Sequence, residues 1–236
     1  MGLGPVPERS NCYNDYKRIF MNVSIPKIAY RFGSNVYLNI TNRCPNLCVF
    51  CIKTKWEMDF HGNNLNLAGN EPTAWDVLHD LEEELKKGPF NEVVFCGYGE
   101  PTMRLDVLLY VAQTLKGWQA QAKFPPFKIR LNTNGLGARI NHKPIVSDLR
   151  RVVDIVNVSV NAENAEKWRQ LVRPEPEYQN AYADVVAFLQ DCAEAGFEKV
   201  ILSCVQNTGA DTKALAKLAQ EVGAVFYERS FLDEDN

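Results

Sequence analysis

Apolar and polar positions follow two rhythms along this chain. Short runs that are apolar throughout or alternate with period two fall at Val36–Thr41, Glu92–Cys96, Lys128–Thr133, Ile155–Val160, Lys199–Val205 and Val225–Phe231. Their β-branched and aromatic content reads as strand. Between them apolar residues recur every three or four positions. Ala74, Val77, Leu78, Leu81 and Leu85 make one stripe over 74–87, with Thr73 and Asp76 placed as a capping box and Gly88-Pro89 as the stop. Leu105, Leu108, Leu109, Ala112 and Leu115 predict a second helix over 105–116. Shorter helices are expected over 146–153 and from about Ala162. Tyr182, Val185, Val186, Leu189 and Ala193 mark a helix over 180–195 that ends at Gly196, and Asp211 and Gly223 bracket another.

Strand followed by helix, six times over, implies parallel strands joined by right-handed crossovers. Six units fall short of the eight of a closed barrel, so an open sheet and a partial barrel of six strands are the candidates. In both, ligands collect at the carboxyl ends of the strands. Residues 1–34 are irregular and rich in Pro, Asn, Arg and Tyr, and are read as an N-terminal extension. Residues 35–236 are read as one core domain.

Composition narrows this picture. The 236 residues are 46% hydrophobic, enough for a substantial core, and the net charge of −3 is spread without a basic stripe for nucleic acid. The first residues lack the pattern of a secretory leader, and no apolar run reaches membrane-spanning length. Seven cysteines, an odd number, fit a reducing compartment better than a disulfide framework, so the expected location is the cytoplasm.

The strand ends carry the candidate chemistry. After the first comes Cys44-Pro45-Asn46-Leu47-Cys48-Val49-Phe50-Cys51. Three thiolates at C-x3-C-x2-C spacing can hold three corners of a [4Fe–4S] cube and leave one iron open. The plain alternative is a zinc site completed by His61 or another residue. After the second strand comes Gly97-Tyr98-Gly99-Glu100-Pro101, whose glycines let backbone approach a ligand and whose carboxylate suits an ammonium. The third ends in Asn132-Thr133-Asn134-Gly135, where turn chemistry is the plain alternative. Asn157, Ser159 and Asn161 share one face at the end of the fourth. The fifth is mostly apolar, and the sixth offers Tyr227 and Arg229 on one side. Cys12, Cys96 and Cys192 are read as inert, and Cys204 as a strand-end residue with a lesser claim on the cavity. Residues 56–69 are either a lid or a polar surface loop, and 118–127 either an exposed aromatic surface or the edge of the core.

The cysteine loop, Phe50 before its last cysteine, and the Gly-x-Gly-Glu-Pro stretch together resemble the radical S-adenosylmethionine (SAM) superfamily. More narrowly, YLNITNRC, VVFCGYGEPTMRLDVL and RLNTNG resemble the TatD-linked radical SAM proteins, from about Tyr30 to about Phe231. The resemblance implies a partial (β/α)6 TIM-type barrel of the α/β class. It implies that Cys44, Cys48 and Cys51 ligate a [4Fe–4S] cluster whose open iron binds the amino and carboxylate groups of SAM. Gly97, Tyr98, Gly99 and Glu100 would receive the methionine ammonium, with Tyr98 in place of a glycine. Asn132, Asn134, Ser159 and Asn161 would meet ribose or carboxylate. Phe50 and Leu202 would flank adenine, and Arg173 would approach the carboxylate.

The implied activity is that of an oxygen-sensitive enzyme. It cleaves SAM reductively to methionine and a 5′-deoxyadenosyl radical that abstracts hydrogen from a substrate. The implied partners are a reductant such as a flavodoxin or ferredoxin, the substrate itself, and a TatD-type nuclease by association. A glycyl-radical-type activase of a partner protein is the second reading. An iron–sulfur or zinc protein without catalysis is the third.

Overall fold

The computed structural model describes residues 25–231. The reading of Cys12, and most of that of the extension, lies outside them.

Among the described residues nine strands form, seven of them in one sheet. These are β1 (Ala29–Phe32), β2 (Asn35–Leu38), β5 (Glu92–Phe95), β6 (Lys128–Thr133), β7 (Ile155–Ser159), β8 (Lys199–Val205) and β9 (Val225–Arg229), in the spatial order β1-β2-β5-β6-β7-β8-β9. From β2 to β9 every pairing is parallel. Each strand of that series lies beside the next one in the chain. A singly wound order with right-handed crossovers puts all the helices on one face and leaves the other as a lumen. This is the α/β architecture expected, with β5–β9 falling where the apolar runs predict strand.

The first expected strand is cut short. β2 ends at Leu38; Asn39 N–H still donates to Ile28 O at 2.8 Å, and the residues after it lead into the cysteine loop. The extension also ends earlier than position 34. β1 pairs antiparallel with β2, Ala29 facing Leu38 and Phe32 facing Asn35, so residues 29–32 are an edge strand of the sheet. A four-residue strand turned by Gly33 at φ 58° is too brief for its alternation to stand out in sequence.

On the helix side, α2 (Ala74–Lys86) buries Val77, Leu81 and Leu85 and carries the expected Thr73–Asp76 capping box. Helix α3 (Leu105–Ala120) runs a turn beyond its predicted end, through Gly117, where the position is open to solvent. The aromatics over 118–127 do not form an exposed surface. Trp118, Phe124, Phe90 and Phe127 pack ring against ring at the core edge. The short helices α1 (Ile52–Lys55), α4 (Gly137–Ile140) and α5 (Val146–Arg150) lie between strands, and α6 (Ala165–Val172), α7 (Tyr182–Glu194) and α8 (Thr212–Val222) complete the layer. Among the described residues no helix is long and apolar enough to cross a membrane.

Strand alternation then decides which residues can reach a ligand. Val156 and Val158 of β7 and Val200, Leu202 and Cys204 of β8 belong to the main apolar core. Register partners share a face, so Asn157, Ile201, Ser159 and Ser203 turn the other way, into the lumen. Leu202, near which the resemblance puts adenine, is itself fully buried on the helix side, so its neighbours Ile201 and Ser203 are the β8 residues that face the lumen there. Cys204 goes with it, away from the cavity, and Cys192 is buried in α7 as expected.

Leu202→Ala should thus behave as a core deletion. It is expected to cost about 2–5 kcal/mol in a urea unfolding measurement. A loss under about 1 kcal/mol would place the side chain in the lumen instead.

Candidate functional site

The cysteine loop, residues 44–51, stands at the carboxyl end of β2. Its shape is set by backbone hydrogen bonds to the end of α6. Leu47 N–H donates to the carbonyls of Val172 and Arg173, both at 3.1 Å, and Val49 N–H to that of Leu171 at 2.9 Å. Glu175 N–H donates to Pro45 at 2.8 Å, and Asn46 bridges Pro174. The last carbonyls of a helix lack intrahelical partners, so this loop also serves as the C-cap of α6. Arg173 sits in the left-handed region at φ 46° where the chain turns out of α6. Its side chain is exposed.

Cys44, Cys48 and Cys51 are each half-buried, and Cys48 and Phe50 lean on the main core. Burial pushes the Cys44 thiol up to about 12 and the Cys48 thiol higher still. The three lie close enough that a charge on Cys51 raises both of the others. Among the described residues no three His, Cys, Asp or Glu side chains converge on a single metal-ion point. A cube takes one thiolate on each of three irons, so its ligands stand apart and need not converge on one ion. His61, the alternative fourth zinc ligand, stacks on Phe32 at 5.2 Å and lies edge-on to Phe60 at 4.7 Å.

Gly97 and Gly99 are required by chain packing. A Cβ at 97 would strike the Asn39 side chain, and one at 99 the carbonyl of Thr41, with that of Arg43 at 2.7 Å. The turn after β5 thus lies backbone to backbone against the entry of the cysteine loop. Tyr98 departs from this contact. Its side chain is buried with Tyr30, Phe60 and Leu65, and its hydroxyl donates to the Asp59 carbonyl at 2.5 Å. That bond holds the hairpin β3 (Asp59–Phe60) and β4 (Asn63–Asn64). Asn39 and Asn42 each donate from Nδ2 to Leu65 O at 2.9 Å, so residues 56–69 are fastened at Leu65 to the entry of the cysteine loop.

Glu100 differs most from expectation. It is 3% exposed, and its carboxylate is occupied from within. Oε1 accepts from Thr102 N–H (3.0 Å), Thr102 Oγ1 (2.7 Å) and Thr133 Oγ1 (2.8 Å), and Oε2 from Asn134 N–H (2.7 Å). Its own N–H donates to Arg43 O at 2.8 Å. Burial pushes its pKa up while these donors pull it down, and the balance is upward. The residue ties three strand exits together.

The lumen below is polar and incompletely paired. Asn132 Oδ1, Asn134 Nδ2, Asn157 Oδ1, Ser203 Oγ and Arg229 Nε are buried without a partner. Asn132 and Asn157 are register neighbours, as are Ser159 and Ser203. Asn134 is shared between roles, since its Oδ1 accepts from Leu136 N–H in an Asx turn. Asn161, in the left-handed region at φ 63°, caps the exit of β7 through a bond from Nδ2 to Ser159 O at 3.0 Å. Buried polar groups are normally satisfied, so such a set in one cavity fits a ligand with many hydrogen-bonding points, as SAM is. The donor chemistry and the orphaned atoms together fit a cluster with a bound nucleoside amino acid. Ser203, Cys96 and Arg229 were not assigned from sequence. The signal for Ser203 was its period-two relation to Ile201 inside an otherwise apolar strand. Cys96 stands one residue past β5, in step with lumen-facing Val94, and is half-buried.

Two outcomes are expected. Whichever way the amide of Glu100→Gln is turned, one backbone N–H, of Thr102 or of Asn134, meets an NH2 group. Destabilisation of roughly 2–3 kcal/mol should appear in chemical unfolding. An unchanged midpoint would remove Glu100 from its tie. Burial also raises Cys44 to about 12, Cys192 to about 12 and Cys204 to about 11. The folded chain then holds protons that the unfolded chain releases above about 8.5. Stability of the metal-free chain should be full below that pH and fall as pH climbs towards 11, read as a declining urea midpoint.

Residues 38–219 match the sequence model of the Radical SAM superfamily. A curated relative, the dual-specificity RNA methyltransferase RlmN of Syntrophotalea carbinolica, is 27% identical over 185 residues, covering 77% of this chain and 45% of the relative. Among solved structures, TYW1 with a lysine-pyruvate adduct bound superposes with a TM-score of 0.55 at 12% identity, over 86% of this chain and 66% of that one. HydG, a maturase of the [FeFe]-hydrogenase, gives 0.59 at 13%, over 84% and 42%. The structural likenesses concern the fold alone. The chain spans less than half the length of the curated relative and at most about two thirds of these structures.

Proposed function

This chain belongs to the Radical SAM superfamily, and from that premise we propose that it abstracts a hydrogen atom from an organic substrate held in its lumen. The superfamily works with a [4Fe–4S] cluster and SAM, and its members are enzymes that need a reductant and a substrate. The observation that carries the proposal is the juxtaposition of three half-buried thiols with a lumen of unpaired polar atoms.

In this reading Cys44, Cys48 and Cys51 hold three irons. The backbone of Gly97, Tyr98 and Gly99 receives the methionine ammonium, while Glu100 fixes that backbone in place. Asn132, Asn134, Ser159 and Asn161, joined by Asn157 and Ser203, meet ribose hydroxyls and the carboxylate. The adenine lies near Phe50 and the lumen face of β8, where Ile201 replaces Leu202. Bound there, cluster and SAM would supply reductive cleavage of the sulfonium, with one electron from the external reductant, to methionine and a 5′-deoxyadenosyl radical able to take hydrogen from the substrate. The protein's part is to orient and to exclude water. The hairpin pinned by Tyr98 serves the second end by sealing one flank with Tyr30, Phe60 and Leu65.

The reductant is a flavodoxin- or ferredoxin-like carrier. The sequence motifs support the TatD-linked subgroup, and with it an association with a TatD-type nuclease. The core domain is read as 35–236 plus the edge strand at 29–32. The RlmN relative is named for action on RNA. At its identity and coverage that name supports the chemistry more than the substrate.

The test is anaerobic reconstitution with iron and sulfide, followed by SAM and dithionite. The expected product is 5′-deoxyadenosine, abolished in Cys44→Ala and retained in Cys192→Ala. Stoichiometric zinc with no cluster absorbance and no product would overturn the reading.

A further inference from the structure

The lumen contains a positive charge that the assignments above leave unexplained. The β9 register sets Arg229 beside Val205, on the face that carries Ser203 and Tyr227. The residue is half-buried, and its Nε is buried without a partner. Nη2 reaches the neutral Asn161 Oδ1 at 3.4 Å. Among the described residues no carboxylate stands within ion-pair distance of it. The groups in electrostatic reach are the thiols of Cys96, Cys48 and Cys204 and the Tyr227 hydroxyl. The same proximity is felt from the other side, since Arg229 is the cation that lowers the Cys48 thiol against the effect of burial.

A buried cation facing only neutral groups is costly. The cost vanishes if a neighbour becomes anionic. A cluster held by the cysteine loop would be such a neighbour. Three thiolates on a [4Fe–4S]2+ core sum to −1, and one electron from an external reductant takes the sum to −2. A fixed cation favours the more negative state, and the buried setting keeps that attraction from being screened away.

Resting on the cluster reading above, we propose that Arg229 is the counter-cation of the cluster, stabilising the three-thiolate assembly and raising its reduction potential. It is a positioning residue for charge, not a ligand. The surface arginines lie in water and have no such effect.

The experiment is a redox titration of the reconstituted full chain, without SAM, followed by electron paramagnetic resonance. Arg229→Gln should shift the reduction equilibrium about tenfold towards the oxidised cluster, roughly 59 mV more negative for one electron. Arg229→Lys should recover most of that shift, and Arg169→Met, on the exposed side of α6, should show none. If Arg229→Gln takes up no cluster while Arg229→Lys does, the charge is needed for assembly and the proposal stands. A Gln variant with wild-type cluster content and wild-type potential overturns it. So does loss of the cluster in both variants with circular dichroism intact, because shape would then matter and not charge. A wild-type chain that takes up no cluster overturns the cluster reading as well, which separates that failure from this one.

Discussion

Glu100 is the point through which the site is assembled. Its N–H reaches the Arg43 carbonyl, one residue before Cys44, and its carboxylate gathers donors from Thr102, Thr133 and Asn134. Three strand exits, those of β2, β5 and β6, are fixed relative to one another by a single residue. A buried carboxylate with this many donors, two of them backbone N–H groups, is stiff because no other side chain satisfies both. Gly97 and Gly99 belong to the same constraint. Glu100 can reach Arg43 only because nothing projects from the two glycines that pack against Asn39 and Thr41. A motif that reads in sequence as a ligand contact is in structure first a clamp between chain segments.

The clamp leaves the opposite half of the lumen free to be polar. Asn157, Ser203 and Asn161 are nearly or fully inaccessible, yet Asn157 Oδ1 and Ser203 Oγ lack partners. Each such group weakens the fold by about 1–3 kcal/mol relative to a paired one. The dry side of the same strands, Val156, Val158, Val200 and Leu202, carries the stability. Period-two alternation thus divides every strand into a face that holds the protein together and a face that is destabilised in the absence of ligand.

The helices and β5–β9 were legible because their apolar periods are long and their caps explicit, as with Thr73–Asp76 and the stripe from Val77 to Leu85. The cysteine loop was legible because its spacing is chemical and local. What sequence could not show was direction across the sheet. Leu202 and Ser203 are adjacent and similarly placed in an apolar run, and only the register with Val158 and Ser159 tells which one faces the lumen. Arg173 stood in a suggestive motif, but its φ of 46° turns the helix end and leaves the side chain outside. The donors that hold Glu100 were not legible, since Thr133 and Asn134 lie more than thirty positions away.

Tyr98 shows how one departure from a family pattern is absorbed. A tyrosine between two glycines that must lie flat against Thr41 and Asn39 has only one direction open to it, away from that contact. There it meets the hairpin of residues 59–64 and donates to Asp59 O. The larger side chain therefore leaves the backbone turn undisturbed and gives the hairpin an anchor.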